Sequence, residues 1–251
     1  DHGVRWVYAW HALHGYWRGV TPALGAALGP DVRVEHVRPR PSAHLLRTEP
    51  QFGWDPTVLF GAGIVADDAD GRGLAAFYAG LHGHLADAGV DGVKVDVQAG
   101  VAALGGGNGG GAALARRHVR ALEASAREHF GRNLLHCMCH TTETLYEYSH
   151  GAVARASDDF YPDRPDSHTL HVLNCAYNSI FIGEIANPDW DMFKSRHESA
   201  ALHAAARAVG GSPVYVSDKP GEHDAELLKK LVLPDGSVLR AALPGRPTRD
   251  C

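Results

Sequence analysis

Short apolar runs with strand character recur along this chain, each followed by a stretch of helical spacing, and that alternation confines it to α/β architecture. Six such runs occur, at 5–10, 93–97, 133–138, 152–156, 179–183 and 213–217. Helical patterns fill 74–88, 112–130 and 199–209, the second rich in Ala, Leu and Arg. Connections that long imply parallel neighbours, because a tight hairpin has no room for a helix. The segment 25–70 breaks the rhythm with Pro, Arg and Gly and reads as a long loop over one end of the sheet.

The chain has 251 residues, 45% of them apolar, enough to bury a core and about the usual size of one (β/α)8 barrel. No run approaches the roughly 18 apolar residues of a membrane helix. The net charge of −5, with Lys and Arg scattered singly, forms no basic stripe, so neither nucleic acid nor a membrane surface is an expected partner. Four cysteines are too few for a disulfide scaffold and point to a reducing compartment. The glycine-rich stretch 104–111 lacks the Lys and Ser/Thr of a phosphate loop and reads as a connector.

The polar residues of interest stand where the strand-like runs end, the face on which parallel barrels carry their sites. They are Trp10 and His11, Lys94 and Asp96, the string 137–140, Arg155 with Asp158 and Asp159, the string Asp189-Trp190-Asp191, and Asp218. Taken singly, a strand-end Asp is often a helix N-cap and a Trp often core. Lys94 and Asp96 share one face of a strand by the period of two, which places a cation beside a carboxylate and suits a nucleophile. Arg155, Asp158 and Asp159 put two acids and a guanidinium together, where a like charge raises one acid into the range of a proton donor. One ionised and one protonatable carboxyl from different strands are the apparatus of glycoside cleavage. Tyr16, Trp17, Phe160 and Tyr161 add apolar faces for sugar C–H groups.

Two metal readings compete and carry less weight. Asp158 and Asp159 lie near His168 and His171, but without a recognisable ligand spacing. In the string His136-Cys137-Met138-Cys139-His140 the ligand types alternate to opposite faces of a strand, so a tetrahedral site needs partners from elsewhere. Cys139 is read instead as lining a sugar pocket, or as a core thiol. No metal is expected.

At these motifs the chain resembles the raffinose synthase and seed imbibition protein family, which includes alkaline α-galactosidases, in glycoside hydrolase family 36. The strings that carry the resemblance are VYAWHALHGYWRGV (7–20), GVDGVKVDVQ (89–98), VARASDDFYPDRPDSHTLH (153–171), AYNSIFIGEIANPDWDMF (176–193) and the stretch 203–251. The resemblance implies a (β/α)8 catalytic core, of which this chain carries about strands 3 to 8. The family's β-rich N-terminal region, its first two barrel strands and its C-terminal β domain are absent, as is its D-D-G-W string; Asp67 and Asp68 are read as helix capping instead.

By position, the resemblance makes Asp96 the nucleophile that forms a covalent galactosyl-enzyme, and Asp159 the acid/base, with Asp158 its rival. Lys94, Arg155 and Asp158 bind sugar hydroxyls, Trp10 stacks on the sugar, and Trp190 and Asp191 are weaker substrate contacts. The implied reaction is galactosyl transfer from galactinol to sucrose, with hydrolysis of raffinose-type sugars as the alternative and an inactive fragment as the rival from another class. The expected partners are these small sugars. Carboxylates do all the chemistry on this route, so no cofactor is expected, and the expected location is the cytoplasm, with the plastid as the alternative.

Overall fold

The computed structural model describes residues 3–39, 41–53, 61–66, 70–151 and 153–249. Asp67 and Asp68, read above as capping residues, lie outside the described residues. The chain divides into two compact units, 1–152 and 153–251.

In the first unit, β1 (Tyr8–Ala12), β4 (Gly92–Asp96) and β5 (Leu134–His136) form a parallel sheet in the order β1-β4-β5. Its crossover helices are α3 (Arg72–Asp87) and α4 (Gly111–Phe130). On α4 the buried residues Leu114, Ala115, His118, Val119, Leu122, Ser125 and Ala126 recur at helical spacing and pack on the sheet. Gly131, at φ +66, ends that helix in a backbone conformation that a side chain resists. Leu13, Val93, Val95, Leu114, Leu122 and Leu134 belong to one buried cluster beneath the sheet.

The segment expected to be a long loop is ordered over much of its described length. It holds α1 (Pro22–Leu28), β2 (Val34–Val37), α2 (Ala43–Thr48) and β3 (Ala62–Val65), and β2 pairs antiparallel with β3. Thr21 and Ser42 cap the two helices through their hydroxyls. The pairing hides in sequence because each strand has only four residues and β2 shows no polar alternation. A short α5 (Thr142–Leu145) follows β5.

The second unit has β6 (Val153–Arg155) parallel to β7 (Asn187–Asp189), with α6 (Pro165–Ile182), α7 (Ala200–Gly210) and α8 (Ala225–Lys229). Two expected strands are corrected here. Residues 179–182 finish α6 and Gly183 follows as its C-cap, because Cys175, Ser179 and Ile182 continue the buried helical stripe begun by His168 and His171. Residues 213–217 make only a bridge between Val216 and Phe193. The strand β7 went unseen because Asn-Pro-Asp has no β propensity.

The described residues thus hold five parallel strands, three in the first unit and two in the second, and neither unit closes a ring by itself. Parallel α/β architecture is present as the sequence indicated. Among the described residues no helix is long and apolar enough to cross a membrane.

Candidate active site

Val93 and Val95 belong to the buried cluster of the first unit, so the period of two turns Lys94 and Asp96 to the opposite face of β4. Lys94 is half-buried, in register with Trp10 on one side and Leu135 on the other. Asp96 ends the strand with its carboxylate held from two sides. Trp10 Nε1 donates to Oδ2 at 3.0 Å, and the Val97 amide donates to Oδ1 at 2.7 Å. The second bond needs a sharp turn, and Val97 takes φ +60, which a β-branched residue adopts only under constraint. Trp10 also meets Tyr16 edge-on at 5.8 Å and Trp17 at 5.7 Å, three exposed rings clustered beside the carboxylate. Such ring faces suit the C–H surfaces of a sugar.

After β5 the extended chain breaks at Met138, with φ +44. Cys139 is fully buried and its Sγ approaches the His136 carbonyl at 3.7 Å. That burial corrects the pocket-lining expectation and leaves Cys139 as a core thiol. Among the described residues no group of three His, Cys, Asp or Glu side chains could hold a metal ion.

In the second unit Arg155 ends β6, almost wholly buried, and its guanidinium reaches three carboxylates. Nη1 donates to Asp159 Oδ1 at 2.6 Å, Nε to Asp189 Oδ2 at 3.3 Å, and Nη2 lies 2.9 Å from Asp191 Oδ1. Asp189 and Asp191 are buried, whereas the Asp159 side chain is 60% exposed. The i,i+4 tie to Arg155 therefore fixes an acid whose carboxyl still faces solvent. Asp158 is exposed too, and its Oδ1 accepts the Asp159 amide at 2.9 Å.

Tyr215 donates to Asp189 at 2.9 Å and to Asp191 at 3.2 Å, and burial followed by the Asp189 charge pushes its hydroxyl well above the usual phenol range. Asp191 sits at φ +61, with Oδ2 accepting the Phe160 amide at 2.8 Å. Behind this turn the buried Arg207 of α7 donates to the carbonyls of Trp190, Asp191 and Met192 at 2.8 to 3.0 Å.

Trp190 does not join the cluster. It is 5% exposed, gives its Nε1 to Ser179 at 3.1 Å, and lies so close to Gly210 that a Cβ there would meet the ring at 2.8 Å. That burial corrects its expected role as a sugar contact. His168 and His171 spend ring nitrogens on the carbonyls of Tyr161 and Trp190, which accounts for them without a metal.

The structure thus gathers Trp10, Lys94 and Asp96 in the first unit, and Arg155, Asp159, Asp158 and Asp191 in the second. Asp189, one of the strand-end acids singled out in the sequence, is brought into the cluster by Arg155 and Tyr215; sequence reading missed Tyr215 and Arg207 as site-building residues.

The chain is 51% identical over its whole length to "Probable galactinol–sucrose galactosyltransferase 6" of Arabidopsis thaliana, covering 32% of that protein. It is 42% identical, over 99% of its length and 32% of the relative's, to "Galactinol–sucrose galactosyltransferase" of Oryza sativa subsp. japonica. The chain therefore spans about a third of the length of these curated relatives. A solved structure, the α-galactosidase of Thermus thermophilus in complex with stachyose, aligns at a TM-score of 0.46 and 20% identity, covering 69% of this chain and 39% of that one. The sequence pattern of the family described as "Raffinose synthase or seed imbibition protein Sip1" matches residues 1–251, and the chain belongs to that family.

Proposed function

We propose that this chain is catalytic core from a retaining α-galactosyl-transferring enzyme, with galactinol as donor and sucrose as acceptor. Asp96 attacks the anomeric carbon of galactose and displaces the leaving group, forming a galactosyl-Asp ester. Asp159 gives the leaving oxygen its proton, then takes one from the acceptor hydroxyl as that oxygen displaces Asp96. Lys94, Arg155, Asp158 and Asp191 serve the sugar hydroxyls or hold the acids in place, and Trp10 offers a stacking face. The observation that carries the reading is the orientation of Asp96, a strand-end carboxylate fixed by Trp10 and Val97 beside three exposed aromatic rings. The names of the relatives supply the choice of donor and acceptor. A second reading, hydrolysis of raffinose-type sugars, is favoured by the 60% exposure of Asp159, which water reaches freely.

The test incubates the intact protein with galactinol plus sucrose, and separately with raffinose and with p-nitrophenyl α-galactoside. Raffinose formation and aryl release, both lost in Asp96→Asn, are expected. Release of galactose from raffinose without transfer to sucrose selects hydrolysis, and full activity in Asp96→Asn removes the whole proposal.

A further inference from the structure

We infer that Tyr148, acting through Gln98, is a positioning residue for Asp96. The inference rests on the proposed role of Asp96 as nucleophile.

Gln98 follows Asp96 by two residues and is fully buried. Its Nε2 donates to the Val95 carbonyl at 2.9 Å and lies 3.0 Å from His136 Nδ1, while its Oε1 accepts the Tyr148 hydroxyl at 2.7 Å. Because only the amide nitrogen can serve a carbonyl, the orientation of the amide is fixed. His136 Nδ1 is then an acceptor, and its proton sits on Nε2, 3.5 Å from Glu123 Oε1. The Gln98 side chain therefore closes a loop from residue 98 back to residue 95, across Asp96 and the left-handed Val97. A β-branched residue at φ +60 does not hold such a turn by itself, so the constraint comes from outside.

That constraint is anchored in α4. Glu123, 1% exposed, accepts the amides of Ser149, His150 and Gly151 at 2.9 to 3.1 Å and the Ser149 hydroxyl at 2.8 Å. It fixes the segment that follows Tyr148. The Tyr148 ring stacks on His136 at 3.9 Å and 16°, so the hydroxyl reaches Gln98 from a clamped ring. Burial raises the Glu123 carboxyl, but the bonds from His136, Ser149 and Gly151 bring it down to about 2. Buried polar networks cost desolvation that an apolar core avoids. Here the network converges on the one turn that orients the carboxylate.

The test uses the intact protein with p-nitrophenyl α-galactoside. Tyr148→Phe, which removes only the hydroxyl, is expected to lower kcat about fivefold to tenfold with KM within twofold. In an Asp96→Gly background supplied with azide, which forms β-galactosyl azide without the tethered carboxylate, the same change should alter the azide-dependent rate by less than twofold. Gln98→Glu keeps the acceptor for Tyr148 but loses the donor to Val95; it repeats the comparison if Tyr148→Phe is not recovered folded.

An unchanged kcat in Tyr148→Phe, or an equal loss in both backgrounds, overturns the inference while Asp96 keeps its role. Turnover by Asp96→Gly without azide overturns both readings.

Discussion

Trp10 Nε1 donates to Asp96 Oδ2 at 3.0 Å, although the backbone register sets Trp10 opposite Lys94 and gives Asp96 to Ala12. The indole reaches diagonally across the β1–β4 pair, a distance that long side chains span. Trp10 thus has two uses, one on its ring face and one on its nitrogen. Trp10→Phe keeps the face and removes the donor. A hydrogen bond to a charged group is worth about 1.5 to 3 kcal/mol, so kcat should fall about tenfold to a hundredfold. A fall confined to KM would mean that only stacking matters, and equal kcat values would exclude the bond from the reaction.

The Arg155 tie distinguishes the two neighbouring acids. Asp159 accepts from Arg155 Nη1 at 2.6 Å, whereas Asp158 caps the amide of Asp159. We expect Asp159→Ala to lose most turnover of substrates with poor leaving groups, with or without azide, and to show azide-accelerated turnover of p-nitrophenyl α-galactoside, whose leaving group needs no acid and whose galactosyl-Asp ester azide attacks without a general base. The product should be α-galactosyl azide, since two displacements retain configuration. Asp158→Ala should give no such product. Rescue at Asp158→Ala alone would reverse the assignment.

Arg155 is also a prediction about stability. Its guanidinium is 2% exposed and shares the interior of the second unit with Asp189 and Asp191, whose side chains are 0% and 7% exposed. Arg155→Met fills most of the volume but leaves two buried carboxylates without their cation. Breaking a buried pair in this way costs about 3 to 5 kcal/mol. Urea titration should show the loss directly. Adding Asp189→Asn to Arg155→Met should recover part of it, and a double variant no more stable than Arg155→Met would show that Arg155 acts only through packing.

The sequence made legible the features that follow from periodicity. β1, β4 and α4 lie close to where apolar spacing put them, and Lys94 and Asp96 share a face because Val93 and Val95 take the other. Short elements escaped. β7 is three residues containing a proline, and β2 and β3 are four-residue strands that pair with each other across a long connection. The run 179–183 has strand composition, yet its buried positions extend a helical stripe that begins eleven residues earlier at His168. Local propensity lost there to packing. The residues that build the site from behind, Tyr215, Arg207, Gln98 and Glu123, have no motif, because their partners are backbone carbonyls, amides and buried acids scattered through the chain.

The first unit buries histidines in neutral form, and this sets its response to acid. His14, His82 and His118 are at most 3% exposed, and His14 Nδ1 has no hydrogen-bond partner among the described residues. Burial, reinforced by neighbouring imidazoles, lowers His14 and His82 to about 3; burial lowers His118 to about 4. An unfolded histidine titrates near 6.5. Below that pH the unfolded chain binds protons that the folded unit refuses, so stability is full above 6.5 and falls as pH drops toward 4. Between pH 7.5 and 5.5 each histidine costs about 1.4 kcal/mol. Glu123, held at about 2, adds its own loss only below about 4.5, outside this window. Urea midpoints should therefore drop steeply between pH 7.5 and 5.5. His14→Phe, which removes the unpaired nitrogen and keeps a ring against His118, should lessen the drop by one histidine's share, about 1.4 kcal/mol. Equal midpoints at the two pH values would mean that these histidines take up protons without unfolding.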